Sequence, residues 1–221
     1  MKHLVVVADD MGKSVSVNRA IAEAHDKGCL TAASIMAGGD AFDDAVKTIL
    51  ERSRLSAGLH ITLCDGKAVL PHSRIPDITD QRGNFIKDPF AAGMHYTKQR
   101  LLPQIEEEVA AQFERVEKAG IHPNHADGHH HLHMHPLIFK VICRQASGRG
   151  IGWIRIPNET LSLVAAFRSP SRHAPTRSRP DRAAARSERR RLHPSPLAPW
   201  CRRRSRTSPS PRDRFVFRNR E

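Results

Sequence analysis

Leu4-Val5-Val6-Val7-Ala8-Asp9-Asp10 is the stretch on which the fold class turns. Leu4 to Ala8 is apolar, rich in β-branched residues and without polar alternation, the pattern of a strand buried on both faces of a parallel sheet. Two aspartates end it. Outward from this run, Ser16 is placed to cap a helix with Val17, Ala20, Ile21 and Ala24 on one face, and Gly28 is placed to end it. Leu30 to Ala37 reads as a second strand. Ala41 to Leu50 has helical spacing of Phe42, Ala45, Val46, Ile49 and Leu50, and Leu55 to Leu63 reads as a third strand. The Pro- and Gly-punctuated stretch from Asp65 to Pro89 lacks periodicity, and its length suggests an insertion over a site. Gln104 to Ala119 then carries Ile105, Val109, Phe113 and Val116 on one helical stripe. A His-rich strand, a helix from Pro136 to Ala146 and a last strand from Gly152 to Ile156 follow. The alternation predicts an α/β protein with a parallel sheet of about five strands, fewer than a closed barrel needs, hence an incomplete (β/α) barrel-like sheet.

Charge divides the 221 residues in two. Residues 1–160 hold 19 Lys+Arg against 19 Asp+Glu, so the whole formal charge of +13 belongs to 161–221. The 17 basic residues of that segment are all Arg, mixed with Pro, Ser and Ala in runs such as Arg189-Arg190-Arg191 and Arg202-Arg203-Arg204. Such a composition has little to bury, and a disordered low-complexity tail is expected. Arg, Pro, Ser and Ala without Lys is also what a GC-rich coding sequence yields when read out of frame. The abrupt change after Glu159 fits a frameshift, and the high pI then says nothing about nucleic acid. Cys29, Cys64, Cys143 and Cys201 form no Cys-x-x-Cys pair, which argues against a thiolate zinc site or a disulfide framework. The apolar run at the start is too short for a signal peptide or a membrane span, so a soluble cytoplasmic protein is expected.

The chemistry concentrates in Asp127-Gly128-His129-His130-His131-Leu132-His133-Met134-His135, which holds five of the chain's 14 histidines. Imidazole is the commonest protein metal ligand and packs poorly in a core, so this density suggests a metal or proton-transfer site. If the segment is a strand, Asp127, His129, His131, His133 and His135 share one face. In parallel α/β folds, functional groups gather at the carboxyl ends of strands. Strand one ends in Asp9-Asp10, strand three contains His60, and the later strand carries Asp127 to His135. One carboxylate with two imidazoles makes an oxygen/nitrogen site suited to Zn²⁺, Mg²⁺, Mn²⁺, Co²⁺ or Fe²⁺. Of the paired aspartates, one can bind the metal while the other accepts a proton from activated water.

Four segments, taken in order, resemble the signatures of the YdjC-type carbohydrate deacetylases. They are Val7-Ala8-Asp9-Asp10-Met11-Gly12, Ala57-Gly58-Leu59-His60-Ile61-Thr62-Leu63, His125 to His133, and Ile154-Arg155-Ile156-Pro157-Asn158-Glu159. The family includes the chitooligosaccharide deacetylase ChbG and the hopanoid-biosynthesis protein HpnK. Gly66-Lys67-Ala68-Val69-Leu70-Pro71, Ile75-Pro76-Asp77 and Leu132-His133-Met134-His135-Pro136 are more similar to the HpnK branch. The resemblance implies a metal-dependent hydrolase that removes acetyl groups from N-acetylated amino sugars, such as a glycosylated hopanoid or a chitooligosaccharide. It implies Asp10, His60 and His129 as ligands of a divalent ion, Mg²⁺ or Zn²⁺ foremost, with Asp9 as general base. His131 and Arg155 are candidates for supporting or substrate contacts, and a homodimer is a candidate assembly. Met11 stands where the family has Phe, and a late His-Pro-Gly segment is missing after Glu159. The alternative expectation is therefore a non-catalytic metal- or carbohydrate-binding remnant.

Overall fold

The structure, a computed structural model, describes residues 4–158, so the Arg-rich segment 161–221 and its expected disorder lie outside the described residues. Everything below belongs to a compact unit that ends at Pro157. Its strands are β1 (Val7–Met11), β2 (Ala32–Ile35), β3 (Ser56–Ile61), β4 (His125–Gly128) and β5 (Trp153–Ile154). Its helices are α1 (Val15–Lys27), α2 (Phe42–Leu50), α3 (Pro89–His95), α4 (Leu102–Lys118) and α5 (Pro136–Gly148). The strands are parallel and run β1-β2-β3-β4-β5 across one sheet. Each strand pairs with the next in sequence. With right-handed crossovers, that order stacks the helices on a single face and leaves the other face turned inward, as in part of a barrel. Among the described residues β1 and β5 each have one strand neighbour.

Register separates the two faces. Ser34 stands level with Gly58, Gly58 with His125, and His60 with Asp127, so the polar residues of three strands share the inward face. Ile35, Leu59 and Ala126 alternate with them and are fully buried in the apolar core. That core continues into Ile49 of α2, Ile105, Val109 and Phe113 of α4, and Ile138 and Ile142 of α5.

Two local expectations are corrected. β1 begins at Val7, three residues later than the apolar run, and Leu4 and Val5 are 77% and 56% exposed. Pairing starts only at Val7 opposite Ala32, and Thr31 occupies the Val6 backbone at the strand's mouth, so no described residue covers the first residues of the run. The cap of α1 is Ser14, whose Oγ accepts from Val17 N at 3.3 Å, and Ser16 lies inside the first turn with its hydroxyl 2.9 Å from that of Ser14. Gly28 ends the helix as expected.

The stretch from Asp65 to Pro89 has no helix or strand of its own, only isolated bridges of Lys67 with Asn84 and Thr79 with Phe85. It is nevertheless anchored. Ile75, Ile78 and Phe85 are buried, and Glu108 of α4, itself fully buried, accepts the N–H groups of Val69 and Leu70 at 2.9 and 3.0 Å. Gln112, one turn on, donates to Glu108 and brackets both backbone groups of Thr62 just past β3. Burial pushes the Glu108 carboxyl up from its ordinary range, with these hydrogen bonds opposing. Glu108→Ala takes the acceptor from two half-buried N–H groups and is expected to cost about 1–3 kcal/mol in all, because part-exposed groups lose less than the roughly 1–3 per group of full burial. Urea unfolding measures it, and a loss below about 1 kcal/mol, the size of one ordinary hydrogen bond, would mean that water replaces the carboxylate.

Candidate metal centre

Asp10 reaches the site through a distortion of β1. Ala8 pairs with Ala33 and Met11 with Ile35, so Asp9 and Asp10 together face the single residue Ser34. The extra residue is a bulge, which bends a strand and re-aims its side chains. Asp10 absorbs it with φ 62°, a left-handed conformation that costs a non-glycine residue energy and is found where function over-determines it. The turn that follows is fixed by Asn18, fully buried, which accepts from Gly12 N at 2.7 Å and donates to Ala41 O and Asp44 Oδ2.

Three side chains meet at the carboxyl end of the sheet. Asp10 Oδ1 lies 3.1 Å from His60 Nε2 and 2.7 Å from His129 Nδ1. The ligand atoms of the trio all fall within 4.8 Å of one another. His60 comes from β3 and His129 from the residue after β4. His60 and His129 are nearly inaccessible, and Asp10 Oδ1 is buried without a hydrogen bond of adequate geometry. A buried carboxylate oxygen left in that state between two ring nitrogens fits a cation, and the oxygen/nitrogen donor set fits Zn²⁺ and its divalent neighbours.

A carboxylate and a hydroxyl order the inward face behind His60. Asp127, fully buried on β4, accepts from His60 Nδ1 at 2.7 Å and from Ser34 Oγ at 2.8 Å, and pairs with Arg155 Nη2 at 2.5 Å. A proton on Nδ1 leaves Nε2 with the lone pair that faces Asp10, the usual way an outer carboxylate sets a ligand tautomer. Below this level His125 contacts Ser34 Oγ at 3.1 Å, contacts Asn124 Oδ1 at 2.6 Å, and stacks on Trp153 at 4.4 Å. Gly58 makes room for it: a Cβ there would stand 2.2 Å from the His125 ring.

Electrostatics follow the geometry. The His129 and His60 rings hold the Asp10 carboxyl far below the usual range, against its partial burial. Burial disfavours the charged form of His60, but Asp10 and Asp127 outweigh it and raise its pKa to about 9. Burial likewise opposes ionisation of Asp127, yet His60, Arg155 and Ser34 hold its carboxyl below the usual range. Cation binding must displace the His60 proton, because only the neutral ring ligates.

The other expected residues fall in different places. Asp9 stands beside the trio and is gripped by Arg155 Nη2 at 2.8 and 2.9 Å, so Arg155 joins the Asp9 and Asp127 carboxylates. The five-histidine strand is corrected: β4 stops at Gly128, and residues 129–134 form a tight 3-10 segment with left-handed φ at His130 and His131. Period two is lost there. His131 is exposed, its ring lies 6.0 Å from that of His133, and it joins none of the ligand-like groups among the described residues. His133 is buried on Arg155 O at 2.8 Å and fills the space a side chain at Gly128 would need. Asp127, Ser34 and Asp65 were not singled out from sequence as partners of the ligands. The period-two pattern Gly58/His60 and His125/Asp127 was the available signal for the first.

A cavity of about 360 Å³, lined by Lys13, Met36, Asp65, Lys67, Asn84 and Phe85 among others, contains none of the trio but adjoins it through Lys13, 3.5 Å from Asp10 Oδ2, and Asp65, 3.8 Å from His129 Nε2. A larger depression of about 560 Å³ between α4 and α5, lined by Glu106, Val141 and Arg144, shares no residue with the trio. Among the described residues no helix is long and apolar enough to cross a membrane.

The chain is 36% identical over 143 residues to a carbohydrate deacetylase of Brevibacillus brevis, covering 65% of this chain and 55% of that protein. It is 35% identical over 163 residues to a chitooligosaccharide deacetylase of Salmonella typhimurium, covering 72% and 60%. The chain thus spans less than two thirds of the curated relatives it matches. A solved protein of Enterococcus faecalis, provisionally named for cellobiose-phosphate cleavage, shares the fold with a TM-score of 0.61 at 24% identity, over 74% of this chain and 62% of that one. The family described as YdjC-like protein matches residues 3–211. With most of its length matched, the chain belongs to the YdjC-like family.

Proposed function

We propose that this chain carries the metal centre of a hydrolase that removes acetyl groups from N-acetylated amino sugars. The observation that supports this most is the convergence of Asp10, His60 and His129 around an unpartnered buried carboxylate oxygen, with a second carboxylate, Asp9, alongside. An acetamide carbonyl is a poor electrophile. A divalent cation, held by Asp10, His60 and His129, would supply its polarisation and lower the pKa of a bound water. Asp127 keeps His60 in the ligating tautomer, and Asp9, steadied by Arg155, takes the proton from the attacking water. The cavity beside the trio, with Lys13, Asn84 and Asp65 on its wall, offers polar groups to sugar hydroxyls. The names of the deacetylase relatives point to the same substrate class. The finer choice of a glycolipid of the hopanoid type rests on Gly66–Pro71, Ile75–Asp77 and Leu132–Pro136.

Acetate release tests the proposal. The full chain is incubated with N-acetylglucosamine oligomers and with an N-acetylglucosaminyl glycolipid, with and without chelator. Release that stops on chelation and returns with Zn²⁺ or Mg²⁺ is the expected result, and the better substrate identifies the branch. Cation binding with no acetate from either substrate would favour a non-catalytic binding protein.

A further inference from the structure

His129 presents its two ring nitrogens to two different carboxylates. Nδ1 lies 2.7 Å from Asp10 Oδ1, while Nε2 is buried, has no hydrogen-bond partner among the described residues, and lies 3.8 Å from Asp65 Oδ2. A neutral imidazole has one lone pair and one N–H. If Nδ1 gives its lone pair to the cation, Nε2 carries the proton, and Asp65 is the carboxylate nearest to receive it.

We infer that Asp65 is the positioning carboxylate of His129, as Asp127 is that of His60, an inference that rests on the Asp10–His60–His129 reading of the metal centre. The backbone supports it. Asp65 opens the long segment after β3 with φ 45°, and it, Asp10, His130 and His131 are the non-glycine residues with positive φ among the described residues. Strain of that kind persists where the surroundings impose it, and here it gathers around the two nitrogens of one ring. Asp65 N donates to Ile86 O at 3.1 Å, which ties the carboxylate's position to the anchored segment. His130 Nε2 lies 3.6 Å from the same Asp65 oxygen, so Asp65, His129 and His130 form a second trio with ligand-like spacing. A second cation there would require His129 to ligate through both nitrogens, which a neutral ring cannot do. Asp65 thus acts on the first cation through His129.

Zn²⁺ titration of the full chain tests this. Asp65→Asn, which suits the left-handed backbone, and Asp65→Gly, which tolerates it and removes the group entirely, are compared with wild type. Loss of an outer carboxylate weakens cation affinity by roughly 10–100-fold, and that loss at unchanged stoichiometry of one is expected for both variants. ¹⁵N spectra of the Zn²⁺-loaded protein should show a protonated Nε2 on His129 whose signal moves in Asp65→Asn. Unchanged affinity in both variants overturns the inference. So does a wild type that takes two Zn²⁺ while Asp65→Asn takes one, because Asp65 would then be a ligand. Asp10→Asn separates the levels: if it binds Zn²⁺ like wild type, the metal-centre reading itself fails, whereas its loss of binding beside an unaffected Asp65→Asn sinks only the inference.

Discussion

Asp9→Asn is expected to cut acetate release by roughly 10²–10⁴-fold, the usual contribution of a positioned general base, while leaving cation affinity close to wild type. The two effects separate because the adjacent aspartates are aimed apart by the β1 bulge. Asp10 turns its Oδ1 to His60 and His129, whereas both Asp9 oxygens face Arg155 Nη2. Asparagine keeps the shape and one acceptor for Arg155 but cannot take a proton. Asp10→Asn has the opposite profile: it removes an anionic ligand, so cation binding fails first and activity with it. Steady-state acetate release and Zn²⁺ titration on the two variants decide the matter. An Asp9→Asn protein that still turns over at the wild-type rate would remove Asp9 from the reaction. One that loses the cation would make it a ligand.

Much of this site was legible in the sequence, because strand ends in a parallel sheet gather in space. Asp10, His60 and His129 are far apart in the chain; the strand-end argument grouped Asp9-Asp10, His60 and the histidine run, and the family resemblance picked out the trio. The register that makes them neighbours, His60 level with Asp127 and Gly58 with His125, is a consequence of parallel pairing. What the sequence hid was local. The histidine run has perfect period two, but the backbone leaves the strand at Gly128 and turns left-handed at His130 and His131, so alternation stops predicting direction. Leu4 and Val5 have strand propensity but, among the described residues, no partner strand at their level. Helix α3 was unforeseen because its signal is short: a Pro at its first position after Asp88, whose carboxylate caps Ala91 N. Asp65 was hidden for another reason. Its relation to His129 is set by where a long aperiodic segment begins, and no periodicity reports that.

Asp127→Ala is expected to lower both the stability of the described unit and its cation affinity. Asp127 is fully buried and answers three groups at once: His60 Nδ1, Ser34 Oγ and Arg155 Nη2. Removing one partner of a buried ion pair typically costs about 3–5 kcal/mol, an upper bound here because Arg155 keeps Asp9 and His60 keeps Asp10. For a domain of this size that corresponds to a fall in Tm of about 6–20 °C. The same change frees the His60 ring to adopt the wrong tautomer, so cation affinity should fall by roughly 10–100-fold in whatever protein still folds. pH gives an independent check in the cation-free protein. His60 has a folded pKa of about 9 against an ordinary 6.5, so its ion pairs stabilise fully below about 6.5 and that contribution disappears as pH rises through about 9. Asp127 is shifted the other way, from 3.8 downward, so its contribution is present above 3.8 and disappears as pH falls through its lower folded value. Wild-type Tm should therefore decline between pH 6.5 and 9. Asp127→Ala, with Asp10 and the charge of Asp9 left to hold the His60 proton, should decline less. A variant whose Tm matches wild type and keeps its full slope in that window would show that Asp127 neither braces the inward face nor holds the His60 proton.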